Sequence, residues 1–489
     1  MNAVLKTVRW PTCDRDRRRL ALWTAGEIAE ATGGKPSGEF QVAGVEMDSR
    51  DVRSGDLFFA LKGENSDGHL YLDKAFANGA AAAVVDRPID RPHVLVADTS
   101  RALELLGQAA RNRVPARIVG VTGSVGKTGV KEAIFASLDR SGRGAAHRSV
   151  RSYNNHVGVP LSLSRMPSRA AFGVFEMGMN HAGEILHLTR QVRPHVAVIT
   201  TIAPAHIENL GSEEAIADAK AEIFAGLEPG GTAVIPADVP HFGRLRRAAE
   251  AAGAEVVAFG TSPQAHVRLL DAIPSANGGS LVTAAFGDLR LCYSVAEPGA
   301  HWVANSLAVM AAVHAAGGDL GAAGLALAEM GGLKGRGARH RLKVPGGHAL
   351  LIDESYNANP ASMRAAIELL GQAPVGPRGR RIAVLGDMLE LGTQGRELHR
   401  GLAAAIEAAG IDLVYCSGPL MHALWEALPS ARKGGYAETA EALQPSVLEA
   451  IRVGDAVMVK GSLGSRMGPI VKALQRRFPT QGALAAMKG

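Results

Sequence analysis

Cysteine is scarce in this chain: its three cysteines, Cys13, Cys292 and Cys416, lie far apart along 489 residues. Such spacing makes neither a metal-ligand pattern nor a disulfide framework, which favours a reducing compartment, so we expect a cytoplasmic protein. No apolar run approaches the length of a membrane span, and the N-terminus has no apolar core of signal-peptide length. We therefore expect a protein without a membrane span.

Aromatic residues are also few, at 4% of the chain. The net charge is +6, but the basic residues are dispersed and only Arg17, Arg18 and Arg19 form a dense run. A basic protein can bind nucleic acid, yet here there is little aromatic surface on which bases could stack. Anionic small substrates account for the mild positive balance equally well, so we expect small-molecule substrates and no nucleic acid.

Short apolar strands alternate with alanine-rich helices along the whole chain, a pattern that predicts an α/β fold. The length suggests about three domains. We predict a small N-terminal α/β domain over 1–114, a central domain with a mostly parallel sheet over 115–334 and a C-terminal Rossmann-like domain over 335–489. The last of these contains no complete G-x-G-x-x-G fingerprint, which argues against a dinucleotide site.

The stretch from Ile118 to Leu138 predicts a phosphate-binding loop between a strand (118–121) and a helix (130–138). Glycines let the backbone turn several N–H groups towards phosphate oxygens, and the helix N-terminus adds a positive field. Lys127 is placed to reach the β- and γ-phosphates, and Thr128 to hold Mg²⁺. The pattern is incomplete, because Val121 occupies the place of its first glycine, and a glycine-rich turn with a surface lysine is the alternative. The loop residues are Gly123, Ser124, Val125 and Gly126.

Polar side chains follow the next predicted strands of this domain. Glu176 ends the strand predicted over 171–175, where a carboxylate is well placed for Mg²⁺. His206 follows the strand predicted over 196–202, and its role stays open because an isolated histidine is usually structural. Asn154 and Asn155 lie in a polar loop before an apolar segment.

Two further polar residues of the central domain allow two interpretations each. Lys220 falls on the apolar face of a helix predicted over 212–227. It could extend its amine past the edge of that face, or it could serve the phosphate site after carbamylation by CO₂, which makes an anionic metal ligand. Asn305, near the start of an alanine-rich helix, is either structural or a reader of an adenine edge.

The loops outside the central domain also carry candidates. Gly335–Arg341 is glycine-rich and basic, which suits an interdomain hinge or a solvated linker. Four strands of the C-terminal domain each end in a polar or glycine loop, as in a doubly wound sheet with a functional carboxyl edge. In the N-terminal domain, the loops around Ser49 and Lys62 could bind a polar ligand or be plain turns. Residues 264–295 predict several short strands with turns.

Taken in order, these motifs resemble the Mur ligase superfamily along all three predicted domains. The motifs are 122–128, 153–156, 176–181, 219–224, 353–360 and 385–391. Within the superfamily, 353–360 and 385–391 resemble the branch that joins D-alanyl-D-alanine to UDP-N-acetylmuramoyl-tripeptide.

The resemblance implies an ATP-dependent, ADP-forming amide ligase of peptidoglycan synthesis that works through an acyl phosphate. A sister ligase that adds an amino acid to a shorter UDP-MurNAc peptide is the alternative. The resemblance also implies that the protein uses ATP and two Mg²⁺ ions and is a monomer. The implied substrates are UDP-MurNAc-tripeptide and D-alanyl-D-alanine.

The resemblance also implies roles for individual residues. ATP is bound by the phosphate loop, with Asn305 at adenine and with Arg336 and Asp353 reaching it from the hinge and the third domain. One Mg²⁺ is held by Thr128 and Glu176, and the second is served by His206 and carbamylated Lys220. The implied catalytic residues are Lys127, Lys220, His206, Arg336 and Asp353. The implied substrate-binding residues are Ser49, Arg50, Lys62, Gly63, Asn154, Asn155, Asn357 and Asn359.

Overall fold

The computed structural model describes residues 20–63, 66–204, 207–275 and 278–479. It divides into two compact units. The first contains the described residues up to Val114 together with Pro160–Ser168, and the second contains the rest. The domain boundaries that we place at 114/115 and 334/335 stay predictions. No helix among the described residues is long and apolar enough to cross a membrane.

The first unit is a small α/β layer. Within its described residues, β4 to β7 form a parallel sheet to which β2 adds at one edge, while β1 and β3 pair separately. Its elements are β1 (Trp23–Thr24), α1 (Ala25–Thr32), β2 (Lys35–Pro36), β3 (Gln41–Val42), β4 (Gly44–Glu46), β5 (Asp56–Phe59), α2 (Leu72–Ala77), β6 (Ala82–Val85), β7 (His93–Leu95) and α3 (Thr99–Asn112).

The second unit begins with a sheet that, in the described chain, has the strand order β16-β15-β14-β13-β12-β11-β8-β10-β9. The neighbours from β9 to β14 are parallel, and β15 and β16 complete an antiparallel edge. The strands are β8 (Arg117–Thr122), β9 (Ala146–Arg148), β10 (Phe172–Glu176), β11 (Val196–Ile199), β12 (Thr232–Pro236), β13 (Glu255–Gly260), β14 (Val267–Pro274), β15 (Ser280–Phe286) and β16 (Leu289–Val295).

The helices along this part of the chain are α4 (Lys127–Ser141), α5 (Gly158–Ser164), α6 (Glu184–Val192), α7 (Ile207–Leu210), α8 (Glu213–Ala221), α9 (Phe242–Ala251), α10 (Ala300–Ala315) and α11 (Leu320–Glu329). Most of α5 belongs to the first unit. One core joins α4, α10 and α11 to the strands through side chains such as Val121, Ile134 and Val309, each of them fully buried. This core holds the end of β8 and the start of α4 in place.

A second sheet follows in the same unit, with the order β17-β18-β22-β19-β20-β21 among described residues. All its neighbours are parallel except β17 and β18. The elements are β17 (Ala338–Val344), β18 (Gly347–Glu354), α12 (Pro360–Gly371), β19 (Arg381–Gly386), α13 (Gly395–Arg400), α14 (Leu402–Ala408), β20 (Leu413–Ser417), α15 (His422–Ala427), β21 (Lys433–Ala437), α16 (Ala440–Ala450), β22 (Ala456–Lys460) and α17 (Gly468–Arg477).

The predicted α/β class and the strand–loop–helix at the phosphate loop are confirmed. The predicted helix over 212–227 is wrong in its second half, because α8 ends at Ala221 and a 3₁₀ segment, Glu222–Gly226, follows. There, the Ile223 carbonyl accepts a hydrogen bond from Thr189 Oγ1 at 2.8 Å rather than one within a longer helix. Residues 264–295 form three strands of seven or eight residues that extend the first sheet.

Candidate active site

The phosphate loop joins β8 to α4 by a sharp turn that requires glycine at two places. Gly123 has a φ of +145°, and a Cβ atom there would collide with Thr200 Oγ1. Gly126 precedes α4 with a φ of +87°, in the left-handed region that favours glycine. Lys127 folds back over the loop, and its Nζ donates a hydrogen bond to the Gly123 carbonyl at 2.7 Å. The loop thus has the compact shape that lets backbone N–H groups surround an anion.

The segment after β11 supports the loop from behind. The backbone N–H of Ser124 donates to the Thr201 carbonyl at 2.9 Å, and Ser124 Oγ donates to the Ala203 carbonyl at 2.9 Å. Thr200 Oγ1 donates to the Val125 carbonyl at 2.5 Å. These bonds fix the loop before any ligand binds, which lowers the ordering cost of binding.

A buried oxygen cluster lies at the end of β10. Thr128 Oγ1 donates to Glu176 Oε2 at 2.8 Å, and Asn154 Nδ2 donates to Glu176 Oε1 at 2.8 Å. The Glu176 side chain is fully buried. A hydroxyl and a carboxylate are the hard oxygen donors that Mg²⁺ prefers, and Mg²⁺ takes few protein ligands. The donor set therefore fits the ion predicted from the sequence, although the described residues contain no cluster of three acidic, histidine or cysteine ligands.

Lys131 is a site-supporting residue that our sequence reasoning did not identify. Its amine is completely buried, and it donates to the carbonyls of Ser149 at 3.2 Å and Arg151 at 2.6 Å. Ser149 Oγ in turn accepts the backbone N–H of Glu176 at 3.0 Å. Lys131 follows Thr128 by three residues on α4, so one helix face carries both. That spacing is the only sequence signal that could have indicated its role.

Lys220, on α8, is 2% exposed. No described residue accepts a hydrogen bond from its amine. Burial lowers the pKa of the Lys220 ammonium well below its usual range, and the charge of Lys127 lowers it further. Burial also lowers the pKa of Lys127, while the charge of Glu176 raises it and that of Arg336 lowers it further. The Lys220 side chain is therefore largely buried, and it lies near enough to Lys127 for the two charges to interact. His206 lies outside the described residues.

The predicted hinge is organised by Asp353 at the end of β18. Its Oδ2 accepts the N–H of Gly335 at 3.0 Å, and its Oδ1 accepts the Ser355 hydroxyl at 2.6 Å. Arg336 lies over the ring of Tyr356, with its guanidinium carbon 4.3 Å from the ring centroid. Asp353 thus shapes the loop that presents Arg336, and Arg336 itself faces the cavity described below.

The carboxyl edge of the second sheet carries a charged pair. Lys460, at the end of β22, is 2% exposed and donates to the Asn357 carbonyl at 3.0 Å. Its amine lies 3.4 Å from Glu354 Oε2. Asn359 caps α12, because its Oδ1 accepts the N–H of Ser362 at 2.9 Å. This hydrogen bond has a structural role. The Lys460–Glu354 pair was not among the predicted site residues.

A cavity of about 590 Å³ collects most of these groups. It is bounded by the phosphate loop, the first turn of α10 and the loops at the carboxyl edge of the second sheet. The predicted site residues that line it are Ser124, Val125, Gly126, Lys127, Asn154, Asn155, Glu176, Asn305, Arg336, Asn357 and Asn359. Gly123, Thr128, Lys220 and Asp353 are buried and are not among the described lining residues.

The remaining predicted residues belong to the first unit. The loops that contain them follow β4 and β5, which are neighbouring parallel strands, so both loops leave the same sheet edge. Ser49 is buried, whereas Arg50 is exposed and contacts Asp48 at 2.6 Å. Lys62 Nζ lies 2.5 Å from Asp86, and the N–H of Gly63 donates to the Ser66 carbonyl at 2.8 Å.

Comparisons with known proteins agree with this architecture. Three family models match: the Mur ligase family catalytic domain at 41–117, the Mur ligase middle domain at 121–313, and the Mur ligase glutamate ligase domain at 340–463. The UDP-N-acetylmuramoyl-tripeptide–D-alanyl-D-alanine ligase of Escherichia coli (strain K12) is 35% identical over 92% of this chain and 98% of its own length.

Solved structures give the same result. MurF from Acinetobacter baumannii has a TM-score of 0.78 at 29% identity, covering 93% of this chain and 99% of that one. MurF from Thermotoga maritima, in complex with ADP, has a TM-score of 0.71 at 26% identity, covering 89% and 97%. The identity to the E. coli enzyme over nearly the whole of both chains decides the family: the chain belongs to the Mur ligase family.

Proposed function

We propose that this protein is an ATP-dependent, ADP-forming ligase that joins D-alanyl-D-alanine to UDP-N-acetylmuramoyl-tripeptide, a step of peptidoglycan synthesis. One observation carries the proposal: a phosphate loop and a buried Thr128–Glu176 pair adjoin one cavity that the second sheet also lines with Arg336 and Lys460. The identity of 35% over 92% of the chain to a ligase of that name supports the choice of substrates.

The chemistry requires activation, because a carboxylate is a poor electrophile. The terminal carboxylate oxygen of the tripeptide attacks the γ-phosphorus of ATP, its bond to the β-phosphate oxygen breaks, and ADP leaves with those electrons. The amine nitrogen of D-alanyl-D-alanine, having lost a proton, then attacks the acyl carbon. The tetrahedral intermediate expels inorganic phosphate and leaves the amide. Both steps depend mainly on positioning and charge stabilisation.

Lys127 and Arg336 supply fixed positive charge to this chemistry. The carboxylate and the triphosphate are both negative and repel each other as they approach. Cations that are already fixed beside the γ-phosphate therefore lower the barrier to the attack. Lys127 is held by the Gly123 carbonyl in the loop, and Arg336 is held by Tyr356 at the hinge. Closure of the cavity around Arg336 and Asp353 would exclude water, which protects the acyl phosphate from hydrolysis.

Two Mg²⁺ ions are part of the proposal. Thr128 and Glu176 would hold the first, and His206 and Lys220 would serve the second. When bound, such ions neutralise phosphate charge and align the reacting oxygens. The hydrogen bond of 2.8 Å between Thr128 and Glu176 supports the first assignment, because it brings the two oxygens together before any ion binds.

Carbamylation is the proposed fate of Lys220. Its side chain is 2% exposed and its amine has no described hydrogen-bond partner, and its lowered pKa favours the neutral form that can act as a nucleophile. The nitrogen lone pair attacks the carbon of CO₂, a proton is released, and an N-carboxylate forms. The change places an anion beside Lys127, whose positive charge would repel a protonated Lys220 but attracts the carbamate.

The substrate-binding residues follow from the same proposal. Ser49, Arg50, Lys62 and Gly63 would hold the UDP-sugar end, on the two loops that leave one edge of the N-terminal sheet. Asn154 and Asn155 would meet the peptide near Glu176, and Asn305 would meet adenine. Asn357 and Asn359 would shape the dipeptide side. We further propose that the enzyme is a cytoplasmic monomer of three domains, 1–114, 115–334 and 335–489.

Phosphate release is the decisive experiment. The purified protein is given ATP, Mg²⁺ and UDP-MurNAc-tripeptide, with and without D-alanyl-D-alanine, and the sugar product is weighed by mass spectrometry. We expect release that needs both substrates and a product heavier by one dipeptide. Release only with single amino acids and shorter UDP-MurNAc peptides would identify a sister ligase. ATP hydrolysis indifferent to all acceptors would reject amide ligation.

A further inference from the structure

Trp302 packs its indole ring against the start of the phosphate-loop helix. A Cβ atom built on Gly129 would lie 3.0 Å from two atoms of the six-membered part of that ring, closer than an ordinary contact. Glycine is a poor helix former, yet it occupies the third residue of α4. The glycine therefore leaves space for the ring at this position.

Asn305 covers the phosphate loop in the same way one turn further along α10. A Cβ atom on Gly126 would lie 3.1 Å from Asn305 Oδ1 and 3.2 Å from its Nδ2. Residues three apart on a helix share one face, and both side chains line the cavity. An aromatic surface and a carboxamide thus stand side by side next to the loop that is expected to hold the phosphates.

This pairing has the chemistry of a base site. Every nucleobase has a π-face that can stack on an aromatic ring, and a carboxamide can donate to and accept from the edge of adenine. Trp302 is half-buried and lines the cavity, so its ring is not enclosed by the core. The ring also packs against the hydrophobic core and against Gly129, which offers no side chain.

We propose that Trp302 stacks on the purine base of the bound nucleotide and so helps to select ATP. The assignment rests on the proposed function, because it takes the phosphate loop to bind ATP. It assigns a second residue of α10 to base recognition beside Asn305. A purely structural role, in which the ring only supports α4, is the alternative that the test must separate.

The test compares ligands with and without a base. Binding of ADP and of inorganic tripolyphosphate to the full-length protein is measured by calorimetry for the wild type, Trp302→Leu and Trp302→Phe. Leucine keeps apolar volume but removes the π-face, so we expect ADP binding to weaken about tenfold while tripolyphosphate binding stays within about twofold. Phenylalanine keeps a stacking face, and we expect ADP binding within about threefold of the wild type.

Trp425 provides the matched control, since it packs against Tyr436 and Lys433 in the second sheet's layer. Trp425→Phe should leave both ligands' affinities unchanged. Quenching of tryptophan fluorescence by ADP should persist in Trp425→Phe and disappear in Trp302→Phe.

Two outcomes would overturn the assignment: equal weakening of ADP and tripolyphosphate in Trp302→Leu, or unchanged ADP affinity. A wild-type protein that binds neither ligand would instead reject the proposed function itself.

Discussion

Two buried lysines of the second unit differ in their surroundings. Lys131, on α4, is 0% exposed and donates to two backbone carbonyls, with Glu132 Oε1 also 2.6 Å from its amine. Lys220, on α8, is 2% exposed and has no described hydrogen-bond acceptor. A buried cation with oxygen partners is a structural element, whereas one without them is driven towards its neutral, reactive form. We therefore propose a supporting role for Lys131 and a chemical role for Lys220.

The largest effect is expected from removing the reactive amine. Lys220→Ala should lose about 1000-fold in kcat, because the lost group carries transition-state charge. The free energy of unfolding should fall by about 2 kcal/mol, because the buried methylene groups of the side chain are also lost. A short carboxylate such as acetate or propionate should restore part of the activity by replacing the missing anion.

The exposed Lys472, in α17, is the matched control for this substitution. Lys472→Ala should keep full activity and show no response to the added carboxylate. Near-normal turnover of Lys220→Ala would contradict the metal-site role and remove the contrast between the two lysines.

A large effect is also expected at Glu176, which is proposed to bind the first Mg²⁺ ion. Glu176→Gln keeps an acceptor for Thr128 but removes the charge, so we expect a fall of about 100-fold in kcat/KM. The Mg²⁺ concentration at half-activity should rise together with this loss. Denaturant unfolding decides whether the effect is local, and a midpoint close to that of the wild type is the expected result. A changed rate without a changed Mg²⁺ dependence would contradict the assignment.

Lys131→Met should affect stability more and the reaction rate less than Lys220→Ala or Glu176→Gln. Two buried carbonyls lose their donor, which we expect to reduce the free energy of unfolding by about 2–4 kcal/mol. Because Ser149 then holds Glu176 less firmly, we expect the Mg²⁺ half-saturation to rise several-fold with a loss of about tenfold in kcat/KM. Lys131→Arg should recover part of both. A stability loss without any shift in Mg²⁺ dependence would restrict Lys131 to packing.

The smallest effect on activity is expected at a buried carboxylate that, like Lys220, lacks a described hydrogen-bond partner. Glu297 is 7% exposed, and burial raises its pKa to about 7. In the unfolded chain its pKa is near 4.5, so between these values the native state binds more protons. Stability should therefore fall as pH rises from about 5 to 8, by at most about 3 kcal/mol.

Glu297→Gln tests that window directly. The free energy of unfolding of the variant should equal that of the wild type near pH 5 and exceed it at pH 8, because the amide does not ionise in this range. The exposed Glu255 supplies the control, and Glu255→Gln should keep the pH dependence of the wild type. Parallel pH profiles for wild type and Glu297→Gln would show that Glu297 ionises without cost.

Hydrophobic spacing and glycine positions predicted those parts of the fold that form within one short segment. The strand, glycine loop and helix at 117–141 follow from hydrophobic spacing and glycine positions within one segment, and they were predicted correctly. The carboxylate at the end of β10 could be placed at a sheet edge from its strand alone. The hydrogen bond from Thr128 to Glu176 joins residues 48 apart, and the sequence predicts only that both approach the same ion.

The features that the sequence did not predict depend on contacts between residues far apart in the chain. The partners of Lys131 lie 18 and 20 residues away in an irregular loop, so no periodicity indicates them. The change from α8 to a 3₁₀ segment arises because Glu222 accepts two N–H groups near the start of α6, at 2.7 and 3.0 Å. Strands over 264–295 were predicted, but their own residues cannot signal that β14 pairs with β13 and so extends the first sheet.

The contact between Ser152 and Tyr356 has a consequence for how the cavity opens. Ser152 Oγ donates to the tyrosine hydroxyl at 2.6 Å, and it joins the loop after β9 to the loop after β18. A neutral hydroxyl pair contributes about 1 kcal/mol, and its strength depends little on salt or on pH near neutrality. Thermal energy can break such a bond easily, so we expect the charges of bound substrates to contribute more than this bond to holding the two loops together.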